Sequence, residues 1–142
     1  MPQSFNKLWV HSVWSTKNRK HLIHSKFEQI IFDYMTSKFI ELGCPVRIIN
    51  GMSDHVHCLF LLNPKRSMAD IIKNVKGSTS HFINQFIKPE DKFEWQHGYG
   101  SFSISESELE RTFLYIKNQK VKHLNQEYFQ TIEKIQSKIN DV

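Results

Sequence analysis

One stretch constrains the fold more than any other: Asp54-His55-Val56-His57-Cys58-Leu59-Phe60-Leu61-Leu62. The almost unbroken apolar run, closed by Asn63-Pro64, reads as a central and largely buried strand. Successive strand side chains point to opposite faces, so His55 and His57 share one face while Val56 and Cys58 take the other. Residues i and i+2 of a strand stand about 6.5–7 Å apart, near enough for two imidazole tips to converge on one ion. The same spacing suits two half-buried polar histidines, and the pair alone does not separate these readings.

The rest of the chain supplies strands and helices around that run. Leu8 to Ser15 reads as a first strand, followed by the basic connection Lys17-Asn18-Arg19-Lys20-His21. Ser25 with Glu28, Ser67 with Asp70, and Ser105 with Glu108 each fit a capping box ahead of a periodic segment. The first helix is predicted from about Lys26 to Leu42, burying Phe27, Ile30, Ile31, Tyr34, Met35 and Phe39. Gly43 and Pro45 stop it. Pro45 to Met52 and Asp54 to Leu62 form the next two strands. A helix then runs from Ser67 to about Ile87, with Gly77 a weak point inside it. Phe93 to Ser103 gives one or two strands interrupted near Gly98 and Gly100, and a third helix runs from Ser105 to about Leu124. A final polar helix takes Gln126 onward. The order β-α-β-β-α-β-α predicts an α+β sandwich of the ferredoxin-like, split βαβ kind. Two helices would pack on one face of an antiparallel sheet, with a C-terminal helix added and the other face free to meet a ligand.

A chain of 142 residues buries a core without staples, so residues 1–142 are expected to form a single domain. The formal net charge of +5 favours polyanionic partners, though it also serves plain solubility. Cys44 and Cys58 are the only cysteines, too few for a disulfide framework, and they read as reduced core residues. The opening residues lack a signal-peptide apolar core and no stretch reaches membrane-spanning length, so a soluble, cytoplasmic protein with no membrane partner is expected.

In the third helix, Leu109, Phe113 and Ile116 make an apolar stripe predicted to face the core. Arg111, Tyr115, Gln119 and Lys122 fall on a different, polar face. Tyr115 there is either an amphipathic surface tyrosine or a nucleophile with a metal ligand beside it. His11, His21, His24, His81, His97 and His123 lack a paired spacing and are set aside as non-ligands. Asp54 could orient a neighbouring histidine or simply serve the turn.

Trp9 to Arg19, Asp54-His55-Val56-His57, Trp95 to Ser103 and Tyr115-Ile116-Lys117-Asn118-Gln119 follow one another in a familiar order. The chain resembles the single-tyrosine HUH transposases of small insertion sequences, a family that includes the REP-associated tyrosine transposases. The resemblance implies a DNA transposase that cleaves and rejoins single-stranded DNA, recognising subterminal hairpins. It further implies Tyr115 as the nucleophile that forms a 5′-phosphotyrosine intermediate. A divalent ion, Mg²⁺ or Mn²⁺, would be held by His55, His57 and Gln119. A homodimer is implied as well, with active sites shared between subunits. Lys17, Arg19, Lys20, Lys117, Lys120 and Lys122 are candidate DNA contacts, or else solvated surface charges. Two competing readings are a non-catalytic regulator binding structured nucleic acid on the same scaffold and a relaxase-like HUH nickase.

Overall fold

A computed structural model describes residues 4–120. Their elements are β1 (Trp9–Ser15), α1 (Glu28–Glu41), β2 (Val46–Met52), β3 (His55–Leu61), α2 (Met68–Phe82), β4 (Gly100–Ile104) and α3 (Leu109–Lys117). A π turn, Ile83–Ile87, prolongs α2, so the helix reaches the end expected for it, and Gly77 sits inside without breaking it. The predicted final helix lies outside the described residues, whereas α3 ends at Lys117 in a turn over 118–120, short of the end expected near Leu124.

The four strands form one sheet in the order β2-β3-β1-β4, with every neighbouring pair antiparallel. This is the ferredoxin-like arrangement. The apolar run is one of its two inner strands, and all of His55 to Phe60 is buried. On one face Val10, Trp14, Val56, Cys58 and Phe60 pack with Ile31, Phe32, Met35 and Phe39 of α1 and Ile71, Ile72 and Val75 of α2. Gly51 of β2 passes so close to β3 that an added Cβ would lie 2.1 Å from the His55 carbonyl oxygen. Only glycine permits that approach.

The opposite face is not free, and here the expectation fails. Val13 and Leu59 of that face pack with Tyr115 and Ile116, with Phe102, Leu109 and Phe113 around them. The buried residues of α3 are Thr112, Tyr115 and Ile116, and Gln119 just beyond it is 1% exposed. These four have the i, i+3, i+4, i+7 spacing of a buried helix face. Because two of them are polar, the stripe reads poorly in sequence. Tyr115 therefore faces the sheet, not the polar side.

Two smaller differences concern helix starts and one concerns α1. Ser67 caps α2 as expected, its Oγ accepting from the Asp70 N–H at 3.1 Å. Ser25 does not cap, because Phe27 N–H turns back to the His24 carbonyl and α1 begins only at Glu28. Ser105 does not cap either. The Glu108 N–H it would serve already donates to the Ser105 carbonyl in a 3₁₀ turn. In α1, Phe32 takes the buried place expected for Ile30, which is 49% exposed.

Candidate active site

Sheet register sets the site. Val13 of β1 lies opposite His57 and Ser15 opposite His55, while Asn50 and Met52 of β2 flank the same two histidines from the other side. Pairing across the sheet thus places both imidazoles on an inner strand, on the face that α3 covers. Tyr115 presents its ring edge-on to His57, with centroids 5.6 Å apart and planes at 85°. One turn later Gln119 Oε1 stands 3.2 Å from His55 Nε2. His55, His57, Tyr115 and Gln119 are brought together, and all are nearly solvent-free, at 3%, 0%, 6% and 1% exposure.

His55 is oriented by a carboxylate. Asp54 Oδ1 accepts from His55 Nδ1 at 2.7 Å, and Asp54 Oδ2 accepts from Arg19 Nε at 3.1 Å and Nη2 at 3.0 Å. Burial by itself would raise the Asp54 carboxyl. The His55 N–H and charge, together with the Arg19 guanidinium, outweigh it and bring the group down to about 2. With its Nδ1 proton committed to Asp54, the His55 ring turns Nε2 toward the Gln119 oxygen. Gln119 Nε2 points away, toward the Tyr115 carbonyl at 3.5 Å. Two acceptors facing each other need a shared proton or a shared cation between them.

His57 is oriented by another imidazole. Its Nδ1 lies 2.9 Å from Nε2 of His11, and both rings are wholly buried. His11 also meets Tyr115 edge-on at 6.3 Å. Burial lowers both histidines, His11 to about 3. Burial lowers His57 far as well, helped by the charges of His55 and His11 and opposed by Gln119. His57 Nε2 is buried without a well-formed hydrogen bond to any described residue. Sequence spacing set His11 aside, since its neighbour in the site is 46 residues away. Only the pairing of β1 with β3 reveals it.

The donor set fits a divalent cation. His55 Nε2, His57 Nε2 and Gln119 Oε1 are two imidazole nitrogens and an amide oxygen, ligand types that carry no negative charge, all on one buried face. Among the described residues, no three His, Cys, Asp or Glu side chains gather as a separate metal cluster.

The candidate DNA-contacting cations fall into different situations. Arg19 is committed to Asp54. Lys120 donates to the Gly51 carbonyl at 2.8 Å and pairs with Glu28 at 3.2 Å, fastening the segment after α3 to β2 and α1. Lys17 pairs loosely with Glu94 at 3.6 Å, Lys20 is exposed, and Lys117 lies 6.0 Å from the Phe113 ring. Lys122 lies outside the described residues. An open cleft of 690 Å³ beside the end of β1 is lined by Lys17, Lys73, Lys76, Trp95, His97 and Tyr99 among others. Lys76 Nζ donates there to the carbonyls of Gln96 and Gly98.

The sequence profile of the family described as "Transposase IS200 like" matches residues 4–119, almost all of the described chain. The chain belongs to the IS200-like transposases. It is 24% identical over 120 residues to the ISDra2 transposase TnpA of Deinococcus radiodurans, covering 80% of this chain and 84% of that protein. Its fold matches that of a putative transposase from Deinococcus radiodurans R1 at a TM-score of 0.66 and 23% identity, over 84% of this chain and 98% of that one. It also matches a REP-associated tyrosine transposase, solved bound to a REP hairpin, at a TM-score of 0.62 and 15% identity. That match spans 87% of this chain and 74% of the other. Membership makes this IS200-like transposase a DNA-cleaving enzyme of transposition. No helix among its described residues is long and apolar enough to cross a membrane.

Proposed function

We propose that this IS200-like transposase cleaves and rejoins single-stranded DNA through Tyr115, beside a divalent-metal site made by His55, His57 and Gln119. The observation that carries the reading is the convergence of Tyr115 on His57 at 5.6 Å and of Gln119 on His55 at 3.2 Å. A cation held by the three ligands, Mg²⁺ or Mn²⁺, would act as a Lewis acid on the scissile phosphodiester. Because all three ligands are neutral, they give up electron pairs without cancelling the ion's charge.

Tyr115 Oη attacks phosphorus, the bond from phosphorus to the 3′ oxygen breaks, and the DNA 5′ end is left as a phosphotyrosine. The phenol loses its proton in this step and the departing 3′ oxygen gains one. A phenol titrates near pH 10, so the nucleophile needs positive charge nearby when it reacts. The ester keeps the energy of the broken bond, and a second 3′-hydroxyl reverses the step to join a new end. A purely hydrolytic nuclease has no use for such an intermediate.

The substrate in this reading is single-stranded DNA with hairpin ends. The likeness to a protein bound to a REP hairpin supports it, as does the lysine- and aromatic-lined cleft beside β1. The buried site admits a phosphodiester only when α3 shifts on the sheet. A homodimer with shared sites would exchange α3 between subunits, breaking the contacts from Asn50 and Lys120 that hold α3 on its own sheet.

A labelled single-stranded hairpin oligonucleotide incubated with protein and Mg²⁺ or Mn²⁺ tests the reading. It predicts a covalent protein–DNA adduct that is lost in Tyr115→Phe and in His55→Ala, with hairpin binding by His55→Ala largely intact. Hairpin binding without an adduct in either metal would instead indicate a non-catalytic nucleic-acid regulator.

A further inference from the structure

We propose that His11 is the positioning residue of the His57 ring, accepting the His57 Nδ1 proton on its own Nε2 and so leaving the His57 Nε2 lone pair facing the site. This rests on the reading of His57 Nε2 as a ligand atom. The geometry is a 2.9 Å contact between His11 Nε2 and His57 Nδ1, inside the fold at zero exposure.

One ring donates in this contact and the other accepts, so two arrangements are available. If His11 donated, His57 would carry its proton on Nε2. That N–H would be buried with no well-formed acceptor among the described residues. If His57 donates, Nε2 is a bare lone pair on the same face as His55 Nε2 and Gln119 Oε1. The second arrangement leaves no buried N–H of His57 unsatisfied.

The two histidines are thus keyed by unlike partners. His55 uses Asp54, which sits at the rim with 16% side-chain exposure and is balanced by Arg19. His57 lies deeper, where an anionic partner would be a buried charge without a counter-charge. A neutral imidazole does the same orienting work there without adding charge beside the nucleophile. In this arrangement His11 acts on the ion only through the His57 ring.

The test uses the full chain, ¹⁵N-labelled and metal-free, with long-range ¹H–¹⁵N spectra to read the His57 tautomer. Wild type is expected to show His57 protonated on Nδ1. Mn²⁺ titrated by calorimetry into His11→Phe is expected to bind about 10–100-fold more weakly. His11→Gln places a side-chain oxygen near the lost Nε2 and is expected to restore both the tautomer and most of the affinity. A His57 proton found on Nε2 in wild type would overturn the proposal. So would a folded His11→Phe that keeps the wild-type tautomer and Mn²⁺ affinity. Should His11→Phe not fold, the wild-type and His11→Gln spectra decide alone. The tautomer is read without DNA or metal, so its failure is distinguishable from a failure of the adduct experiment.

Discussion

Asn50 holds the end of α3: its Nδ2 donates to the carbonyls of Ile116 at 3.0 Å and Lys117 at 3.1 Å. In the sheet Asn50 is the direct neighbour of His57. One side chain therefore ties the strand beside the histidines to the helix carrying Tyr115 and to the turn that delivers Gln119.

Asn50→Ala leaves two helix-end carbonyls without that donor. A loss of about 1–2 kcal/mol in stability is expected, with faster amide exchange confined to Tyr115–Lys120. Thermal unfolding and hydrogen-exchange mass spectrometry measure both. Unchanged exchange in that segment would show that α3 is held by its apolar packing alone.

Asp54→Asn keeps the shape of the carboxylate and removes its charge. The His55 ring then loses its fixed orientation, and adduct formation is expected to fall about 10–100-fold with little change in melting temperature. Arg19→Ala should follow in the same direction with a smaller drop, since it acts on His55 only through Asp54. Rates from the hairpin cleavage assay check the order of the two variants.

Lys76 fixes the Gln96–Gly98 segment through two carbonyls, and burial lowers its ammonium from 10.5 to about 8. Between about pH 8 and pH 10.5 the unfolded chain binds more protons at this residue than the folded one. Stability contributed by this group therefore rises with pH across that window. Denaturant unfolding of wild type against Lys76→Met at about pH 7.5 and about pH 10 should show the wild type gaining ground at the higher pH. Parallel curves would contradict that.

What is legible in the sequence follows the range of the interactions. The apolar run after His57, the cap at Ser67 and the stop at Gly43 are local, and the strands, helices and their order follow from such signals. His55 and His57 are visible as a pair because two residues along a strand is also a local spacing. Tyr115 and Gln119 stand out only through the resemblance, and their burial escapes the sequence because tyrosine and glutamine do not mark a core stripe. Thr112, Tyr115, Ile116 and Gln119 have the spacing of a buried face but not the composition of one. His11 and Arg19 act across separations of 46 and 35 residues, which only the assembled sheet and its turn establish. The sequence shows Arg19 only as a candidate phosphate contact, and the fold adds that its guanidinium holds Asp54.

The central claim is that Tyr115 becomes the covalent link to DNA, and peptide mapping of the trapped complex tests it most directly. The full chain is incubated with a single-stranded hairpin substrate and Mn²⁺, digested with protease and nuclease, and analysed by tandem mass spectrometry. A nucleotide mass on the peptide containing Tyr115, absent from Tyr115→Phe, is the expected result. A nucleotide mass on any other residue, or an adduct undiminished in Tyr115→Phe, would contradict the account.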